Sequence, residues 1–233
     1  MKTIGLLGGM SWESTSTYYQ LLNEGIKQRL GGLHSARICM HSVDFAEIEK
    51  LQHCGDWAAA ATILAQAAQG LEAGGADFFL ICTNTMHKVA EEVASSVQIP
   101  LLHIADATAR RLQADRVSKV GLLGTRFTMD QDFYKGRLAS MHDIEVLTPA
   151  PPAQQTVHQI IYEELCLGTI KEESRMSYLD IIADLKSAGA QGIILGCTEI
   201  AMLVKQADTD IALYDTTDIH CQVALDTALA ELT

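Results

Sequence analysis

The chain has few basic residues, few prolines and no long hydrophobic run. Its 233 residues include 17 Lys and Arg against 29 Asp and Glu, which gives a formal net charge of −12. Non-specific nucleic-acid binding needs a basic surface, so we expect no nucleic-acid partner. No apolar stretch approaches the roughly 18 residues of a membrane span, and the apolar start is too short for a signal-peptide core. We therefore expect a cytoplasmic protein without membrane contact.

The six cysteines are scattered, and none lies in a C-x-x-C motif. In a reducing compartment such cysteines are free thiols. The isolated Cys and His pairs lack the second pair of a zinc finger, so we expect no metal site. The segment LLGGM has neither G-x-G-x-x-G spacing nor the lysine of a P-loop. Nucleotide binding is therefore not expected.

Apolar runs alternate with segments of helical periodicity along the whole chain. Most runs are continuous, as in strands covered on both faces. Alternating strands and helices predict an α/β fold with parallel sheets and right-handed crossovers. The predicted strands lie at about 3–8, 37–43, 78–82, 101–104, 119–124, 144–148, 193–197 and 211–214.

Two repeated segments indicate that the chain consists of similar halves. GLLG occurs at 5–8 and again at 121–124, and Cys82-Thr recurs as Cys197-Thr at nearly the same spacing. This agreement favours a duplication. We predict two pseudo-symmetric doubly wound domains, each with a mainly parallel four-stranded sheet, and an active site in the cleft between them. The predicted domains are residues 1–104 plus 216–233, with a terminal helix of about 216–232 packing on the first domain, and residues 105–215.

Polar residues follow the predicted strands at the positions where open parallel sheets bind ligands. Backbone N–H groups at helix starts, with Thr and Asn side chains, suit a carboxylate. Each residue alone could be a helix N-cap, but their recurrence beside a cysteine in both halves favours a binding site. These residues are Gly8, Gly9, Met10, Ser11, Thr83, Asn84, Thr85, Thr125, Arg126, Thr198 and Glu199.

Cys82 and Cys197 each end an apolar strand and precede a predicted helix. A helix N-terminus lowers the pKa of a thiol below about 8.5, which favours a thiolate that acts as base or nucleophile. Covalent catalysis would need an adjacent histidine, but we expect His87 to point elsewhere, and none follows Cys197. Two matched thiols favour removal of a proton next to a carboxylate and its return on the opposite face.

Three of the four prolines lie in the segment TPAPPAQQT at 148–156. Clustered proline predicts a loop, which either covers the site or simply connects two elements at the surface.

The chain resembles the cofactor-independent aspartate/glutamate racemase family, in its amino-acid racemase branch. Glutamate racemases differ in having an acidic residue in the first glycine loop and a histidine after the second Cys-Thr. The resemblance implies an enzyme without pyridoxal phosphate or another cofactor. It also implies that Cys197 acts on the L isomer and Cys82 on the D isomer. The motifs that resemble the family are IGLLGGMS (4–11), CTNT (82–85) followed by Met86 and His87, IIYEELCLG (160–168) and GCTE (196–199).

The same resemblance implies how an amino-acid substrate would be bound. Its carboxylate and amino group would contact Thr83, Asn84, Thr85, Thr198 and the Met10 loop. The Arg and Lys that hold the distal carboxylate in aspartate racemases fall at Ile48 or Glu49 and at Cys166 here. Gln52 and Arg126 could partly replace them, so the substrate is aspartate, glutamate or a broader amino-acid range. A homodimer is the default expectation for assembly.

Two other functions are compatible with the same pattern. The related maleate isomerases and malonate decarboxylases use one cysteine on a small dicarboxylate, although two Cys-Thr motifs argue against decarboxylation. A non-catalytic binding module for small acids, built from two similar lobes, would also place ligand-binding residues at these strand ends.

Overall fold

Residues 1–230 are described by a computed structural model, in which strands and helices alternate as predicted. The chain divides into two units: Met1–Ile104 together with the described residues from His220 onward, and Ala105–Ile219. The domain boundaries predicted from the sequence, with a return at residue 216, stay a prediction. Among residues 1–230, no helix combines the length and the apolar character that crossing a membrane requires.

The first unit contains three strands and the helices that connect them. Its elements are β1 (Ile4–Gly8), α1 (Trp12–Leu30), β2 (Ile38–Ser42), α2 (Phe45–Cys54), α3 (Trp57–Ala73), β3 (Phe78–Ile81), a 3-10 helix (Thr85–Val89) and α4 (Ala90–Ser95).

The second unit begins within α5 and ends within α11. Its elements are α5 (Ile104–Ala114), β4 (Lys119–Gly124), α6 (Arg126–Asp130), α7 (Asp132–His142), β5 (Glu145–Leu147), α8 (Pro151–Glu163), a 3-10 helix (Leu165–Leu167), α9 (Glu172–Ser187), β6 (Gly192–Gly196), α10 (Ile200–Leu203), a 3-10 helix (Gln206–Asp208), β7 (Ala212–Asp215) and α11 (Thr216–Leu229).

Both sheets are parallel and wound in the same order. The strand order is β2-β1-β3 in the first unit and β5-β4-β6-β7 in the second. In each sheet the first strand in the chain is central, and the third strand lies beside it. Apart from Lys119 at the start of β4, the central strands are buried because helices cover both faces, which explains their continuous apolar sequences. The α/β fold with two similarly wound halves is confirmed.

The first sheet has three strands instead of the predicted four. The predicted strand at 101–104 is reduced to one parallel bridge between Phe79 and Leu101. Two hydrogen bonds with Phe79 flank this bridge, one accepted by the Pro100 carbonyl and one donated by Leu102 N–H. Pro100 cannot donate to a ladder, and α5 already begins at Ile104. The segment between them is therefore too short for a full strand.

The core of the first unit lies on both faces of its sheet. Along β3, Phe79 and Ile81 pack into the cluster that contains Leu64 of α3. The alternate residues Phe78 and Leu80 pack into a second cluster on the opposite face. This alternation follows from the period of two in a strand, and the second cluster, which also contains Cys82, is called the α1–α11 cluster below.

From His220 onward, the terminal helix α11 belongs to the first unit. Cys221, Leu225 and Leu229 belong to the α1–α11 cluster with Tyr18 of α1. A Cβ added to Gly25 of α1 would lie 2.2 Å from Leu225 Cδ1, so glycine permits this close contact. The predicted end of the helix near residue 232 lies outside the described residues.

The proline-rich segment at 148–156 is not a loop throughout, because α8 begins at Pro151. Pro151 and Pro152 occupy the first helical positions, where a missing N–H removes no intrahelical bond and the fixed φ suits a helix. The helix is then held by its buried residues Val157, Ile160 and Ile161. Proline therefore starts this helix where we predicted a loop.

Candidate active site

The turn after β1 is fixed by two glycines and by Thr15 of α1. A Cβ on Gly8 would lie 2.3 Å from Thr15 Cγ2, and one on Gly9, whose φ is 95°, would lie 2.2 Å from the Val43 carbonyl oxygen. Thr15 Oγ1 accepts the N–H of Gly9 at 2.8 Å and donates to the Ser11 carbonyl at 2.9 Å. The two glycines of LLGGMS are thus required by close packing around this turn.

Cys82 directly follows β3, and its main chain is held on two sides. Its N–H donates to the Leu7 carbonyl at 2.9 Å, which continues the parallel ladder with β1. Its carbonyl accepts from Ser14 Oγ, in the first turn of α1, at 3.0 Å. These bonds fix the point at which the chain leaves the sheet.

The thiol of Cys82 is fully buried in an apolar and aromatic environment. Its exposed fraction is 0%, and it belongs to the α1–α11 cluster with Tyr18 and Leu80. Burial raises the pKa of Cys82 far above that of an ordinary thiol, because the thiolate would lose its hydration. Within residues 1–230 no carboxylate forms a hydrogen bond with this sulfur.

Cys197 occupies the equivalent position after β6, but its thiol contacts a carboxylate. Sγ donates to Glu199 Oε2 at 2.8 Å. Glu199 is 5% exposed, whereas Cys197 is only partly buried. The pKa of Cys197 is raised well above its ordinary value, first by desolvation and then by the charge of Glu199.

The predicted lowering of the two thiol pKa values is therefore wrong for this structure. Cys82 is followed by a 3-10 helix that starts at Thr85, and Cys197 by the four-residue helix α10. Neither is a long α-helix with a strong dipole at its start. Burial is the largest cause of both shifts, so the thiol form predominates for both cysteines near neutral pH.

The residues after each cysteine repeat the same pattern of burial. Thr83 and Thr198 are half-buried, whereas Asn84 and Glu199 are buried. In the second unit Thr217 Oγ1 donates to Thr198 Oγ1 at 3.2 Å. Each half thus places a partly accessible hydroxyl one residue after the thiol, and a buried polar side chain two residues after it.

Both ring nitrogens of His87 contact main-chain groups, so neither forms a hydrogen bond with the Cys82 thiol. Its Nδ1 lies 2.8 Å from the Thr83 carbonyl, and its Nε2 accepts the N–H of Ile104 at 3.2 Å. Because Ile104 donates to Nε2, the ring is neutral with its proton on Nδ1. His87 thus braces the main chain that follows the thiol.

Two predicted binding residues have mainly buried side chains in the first unit. Met10 is 4% exposed and packs in the same cluster as Leu64. Gln52 of α2 is also 4% exposed, and its Nε2 donates to Met86 Sδ at 2.9 Å. Gln52 Oε1 accepts no hydrogen bond from any residue of 1–230. The structure thus brings Gln52 beside the CTNT segment.

The other predicted binding residues differ in accessibility. Thr85 is buried at the start of the 3-10 helix. Thr125 caps α6, since its Oγ1 accepts the N–H of Thr128 at 3.4 Å. Arg126 is exposed. Thr125 therefore has the N-cap role that its position allowed, and its contact with a ligand stays a prediction.

Sequence reasoning did not identify three hydroxyl residues that support the two cysteine segments. Ser14 supports the Cys82 carbonyl, Thr216 Oγ1 donates to the Leu195 carbonyl at 2.9 Å, and Thr217 supports Thr198. Thr216 and Thr217 directly follow β7. Because open parallel sheets bind ligands beyond the carboxyl ends of their strands, this position could have identified them.

Across the described part of the chain, no group of three or more His, Cys, Asp or Glu side chains has an arrangement that could hold a metal.

A family model described as Asp/Glu/Hydantoin racemase matches residues 7–224. The fold is similar to the crystal structure of a candidate Asp/Glu racemase from Yersinia pestis, with 54% identity, a TM-score of 0.93 and coverage of 98% of this chain and 100% of that one. It is also similar to an aspartate racemase homologue from Pyrococcus horikoshii OT3, with 34% identity, a TM-score of 0.85 and coverage of 98% and 99%.

Among curated proteins, the chain is similar to the broad specificity amino-acid racemase RacX of Bacillus subtilis (strain 168). The two are 26% identical over 164 residues, which cover 69% of this chain and 68% of that protein.

Proposed function

Because the chain belongs to the Asp/Glu/hydantoin racemase family and is therefore an isomerase, we propose that it inverts the α-carbon of free amino acids with Cys82 and Cys197 as acid and base. The observation that carries this proposal is the repeated Cys-Thr pair at the carboxyl ends of β3 and β6, the same position in two similarly wound sheets. Matched thiols are what proton removal from one face and return to the other requires.

In the proposed reaction, one thiolate removes the α-proton and the other thiol donates a proton to the opposite face. The electron pair left on the α-carbon spreads into the substrate carboxylate. Hydrogen-bond donors that follow β3 and β6 would stabilise that charge. The half-buried hydroxyls of Thr83 and Thr198 are the candidates beside the two sulfurs, and the buried side chains of Asn84 and Thr85 complete the first set.

For the substrate we propose aspartate, glutamate or a broader range of amino acids. Ile48 lies in the core of the first unit, so this position offers no cation for a distal carboxylate. The buried amide of Gln52, whose Oε1 accepts no hydrogen bond from residues 1–230, can contact a neutral or amide-like side chain. Arg126 and Thr125 at the start of α6 are further candidates. The name of the relative RacX, a broad specificity racemase, supports a wide range.

The direct test incubates the purified chain with a panel of L- and D-amino acids, without added cofactor, and separates the enantiomers. We expect both enantiomers to appear from at least one of aspartate, glutamate or a neutral amino acid. A Cys82→Ser, Cys197→Ser double variant is the matched control and should leave every enantiomer unchanged. If the panel shows no racemisation while maleate is isomerised or malonate loses carbon dioxide, the proposal is wrong and a related isomerase or decarboxylase replaces it.

A cytoplasmic location and a homodimeric state remain predictions. Light scattering of the purified chain would test the second, since a monomeric mass at working concentration contradicts it.

A further inference from the structure

Within the described residues, the contact between Cys197 and Glu199 has no counterpart at Cys82. The Cys197 thiol donates to a carboxylate oxygen at 2.8 Å, and that carboxylate is buried. The residue in the equivalent place after Cys82 is Asn84, whose amide has no basic oxygen. At this position the second half therefore has a carboxylate that can accept a proton, whereas the first half has an amide that is not basic.

A partly buried thiol beside a buried carboxylate cannot easily become a thiolate by losing its proton to water. That loss would place two negative charges within hydrogen-bond distance in a medium that solvates neither well. Transfer of the proton inside the pair avoids this cost, because one negative charge is present before and after. In that transfer the S–H bond breaks, its electron pair stays on sulfur, and an O–H bond forms on the carboxylate.

We propose that Glu199 accepts the thiol proton of Cys197 and so makes this pair the base for one isomer, which the resemblance to the racemase family implies is the L isomer. The inference rests on the proposed racemase function only for its last part. The resulting thiolate takes the α-proton of the L isomer as the C–H bond breaks and a new S–H bond forms. The electron pair moves onto the substrate. Cys82, which has no such partner, then donates its proton to the other face and gives the D isomer.

The proton-accepting role assigned here differs from the substrate contact predicted for Glu199. Other titratable groups act on the Cys197 thiol from two further elements: Cys166 from the 3-10 helix at Leu165–Leu167 and Tyr178 from α9. Tyr178 donates its hydroxyl to the Val157 carbonyl at 3.2 Å. Glu199 is the group within hydrogen-bond distance of the Cys197 sulfur.

The test measures alkylation of each cysteine by iodoacetamide at pH 6 to 10, with site-resolved mass spectrometry and no substrate. If the proton moves within the pair, a fixed fraction of Cys197 is thiolate, so its rate stays level over about two pH units before rising. Glu199→Gln should abolish this level region, so that the rate rises about tenfold per pH unit and falls at least fivefold at pH 7. The exposed Cys54 is an internal reference for a solvent-accessible thiol.

Glu164→Gln is the matched control, because Glu164 is a mostly buried carboxylate of the same unit. Its Oε2 accepts a hydrogen bond from Ser174 Oγ at 2.6 Å instead of from a thiol. It should leave the alkylation profile of Cys197 unchanged. A carboxylate that only holds the thiol protonated gives the opposite result. Alkylation of Cys197 in Glu199→Gln would then rise at every pH, and the proposal would be overturned.

The catalytic part is tested by exchange of the α-proton with solvent deuterium, starting separately from each isomer. Glu199→Gln should slow exchange from the L isomer at least tenfold more than exchange from the D isomer, and Glu199→Asp should restore part of it. Equal slowing of both exchanges would contradict the assignment. Because alkylation needs no substrate, it can fail or succeed independently of racemase activity.

Discussion

The segments after β3 and β6 are alike in backbone and unlike in chemistry. Both begin with Cys-Thr at the end of the strand beside the central one. Cys82 lies in the apolar α1–α11 cluster, whereas Cys197 contacts the carboxyl group of Glu199. The duplicated topology therefore sets where the two thiols lie, and single side chains near them give the two thiols different surroundings.

The strongest test of this comparison replaces one cysteine at a time. Cys82→Ser and Cys197→Ser should each lower racemisation by roughly 10²- to 10⁴-fold, because a serine hydroxyl is a much weaker acid and base than a thiol. Chiral separation measures the loss. In deuterated water, Cys82→Ser should still exchange the α-proton of the L isomer, and Cys197→Ser that of the D isomer.

Circular dichroism and Cys54→Ser serve as controls for the fold and for removal of an unrelated thiol. If both single variants exchanged the α-proton of the same isomer, the two thiols would not act on opposite faces of the α-carbon.

A smaller effect should appear in the pH dependence of the free energy of unfolding. It arises from His220, which contacts Tyr18 of the α1–α11 cluster. His220 accepts the Tyr18 hydroxyl at Nδ1 and donates from Nε2 to the Leu102 carbonyl. Burial, chiefly, lowers the pKa of His220 to about 3. The unfolded chain, with a histidine pKa of about 6.5, binds the proton first as pH falls. The stabilisation is therefore complete above about pH 6.5 and is lost towards pH 3, by about 1.4 kcal/mol per pH unit.

Urea unfolding at pH 7, 6 and 5 measures this slope. His220→Gln should flatten it, and the exposed His34→Gln should leave it unchanged. An unaltered slope in His220→Gln would assign the pH dependence to other groups.

The smallest expected effect is the difference in stability between alanine substitutions at the two glycines that end β1 and β4. A Cβ on Gly8 would lie 2.3 Å from Thr15 Cγ2, whereas one on Gly124 would lie 3.1 Å from the Gly196 carbonyl. Gly8→Ala should destabilise the chain by about 1–3 kcal/mol and disturb the turn that Thr15 holds, and Gly124→Ala by less than about 1.5 kcal/mol. Thermal unfolding of both variants measures the order, and a reversed order would contradict the packing described for the first turn.

Much of the fold could be predicted because the pattern is local and repeated. Continuous apolar runs gave the strands near Ile4–Gly8 and Gly192–Gly196, since buried parallel strands need apolar residues on both faces. The prolines at 151 and 152 were misinterpreted, because the same residues suit a loop or the first turn of a helix. The missing fourth strand of the first sheet depended on Pro100 and the early start of α5.

The candidate site was predictable in position but not in protonation. The motif and the rule on strand ends placed Cys82 and Cys197, with their threonines, at equivalent points. They could not give the burial of Cys82, which arises from α1 and from α11, more than a hundred residues further along the chain. They also gave Glu199 a substrate contact, whereas its carboxylate reaches the neighbouring sulfur.

The sequence by itself determined the repeated halves, the parallel order of strands and helices, and the placement of a thiol followed by threonine at the end of one strand in each half. Only the tertiary structure decided the electrical surroundings of each thiol. The physical reason is range: periodicity and turn chemistry act between near neighbours in the chain, whereas desolvation and charge act through space on atoms that folding brings together.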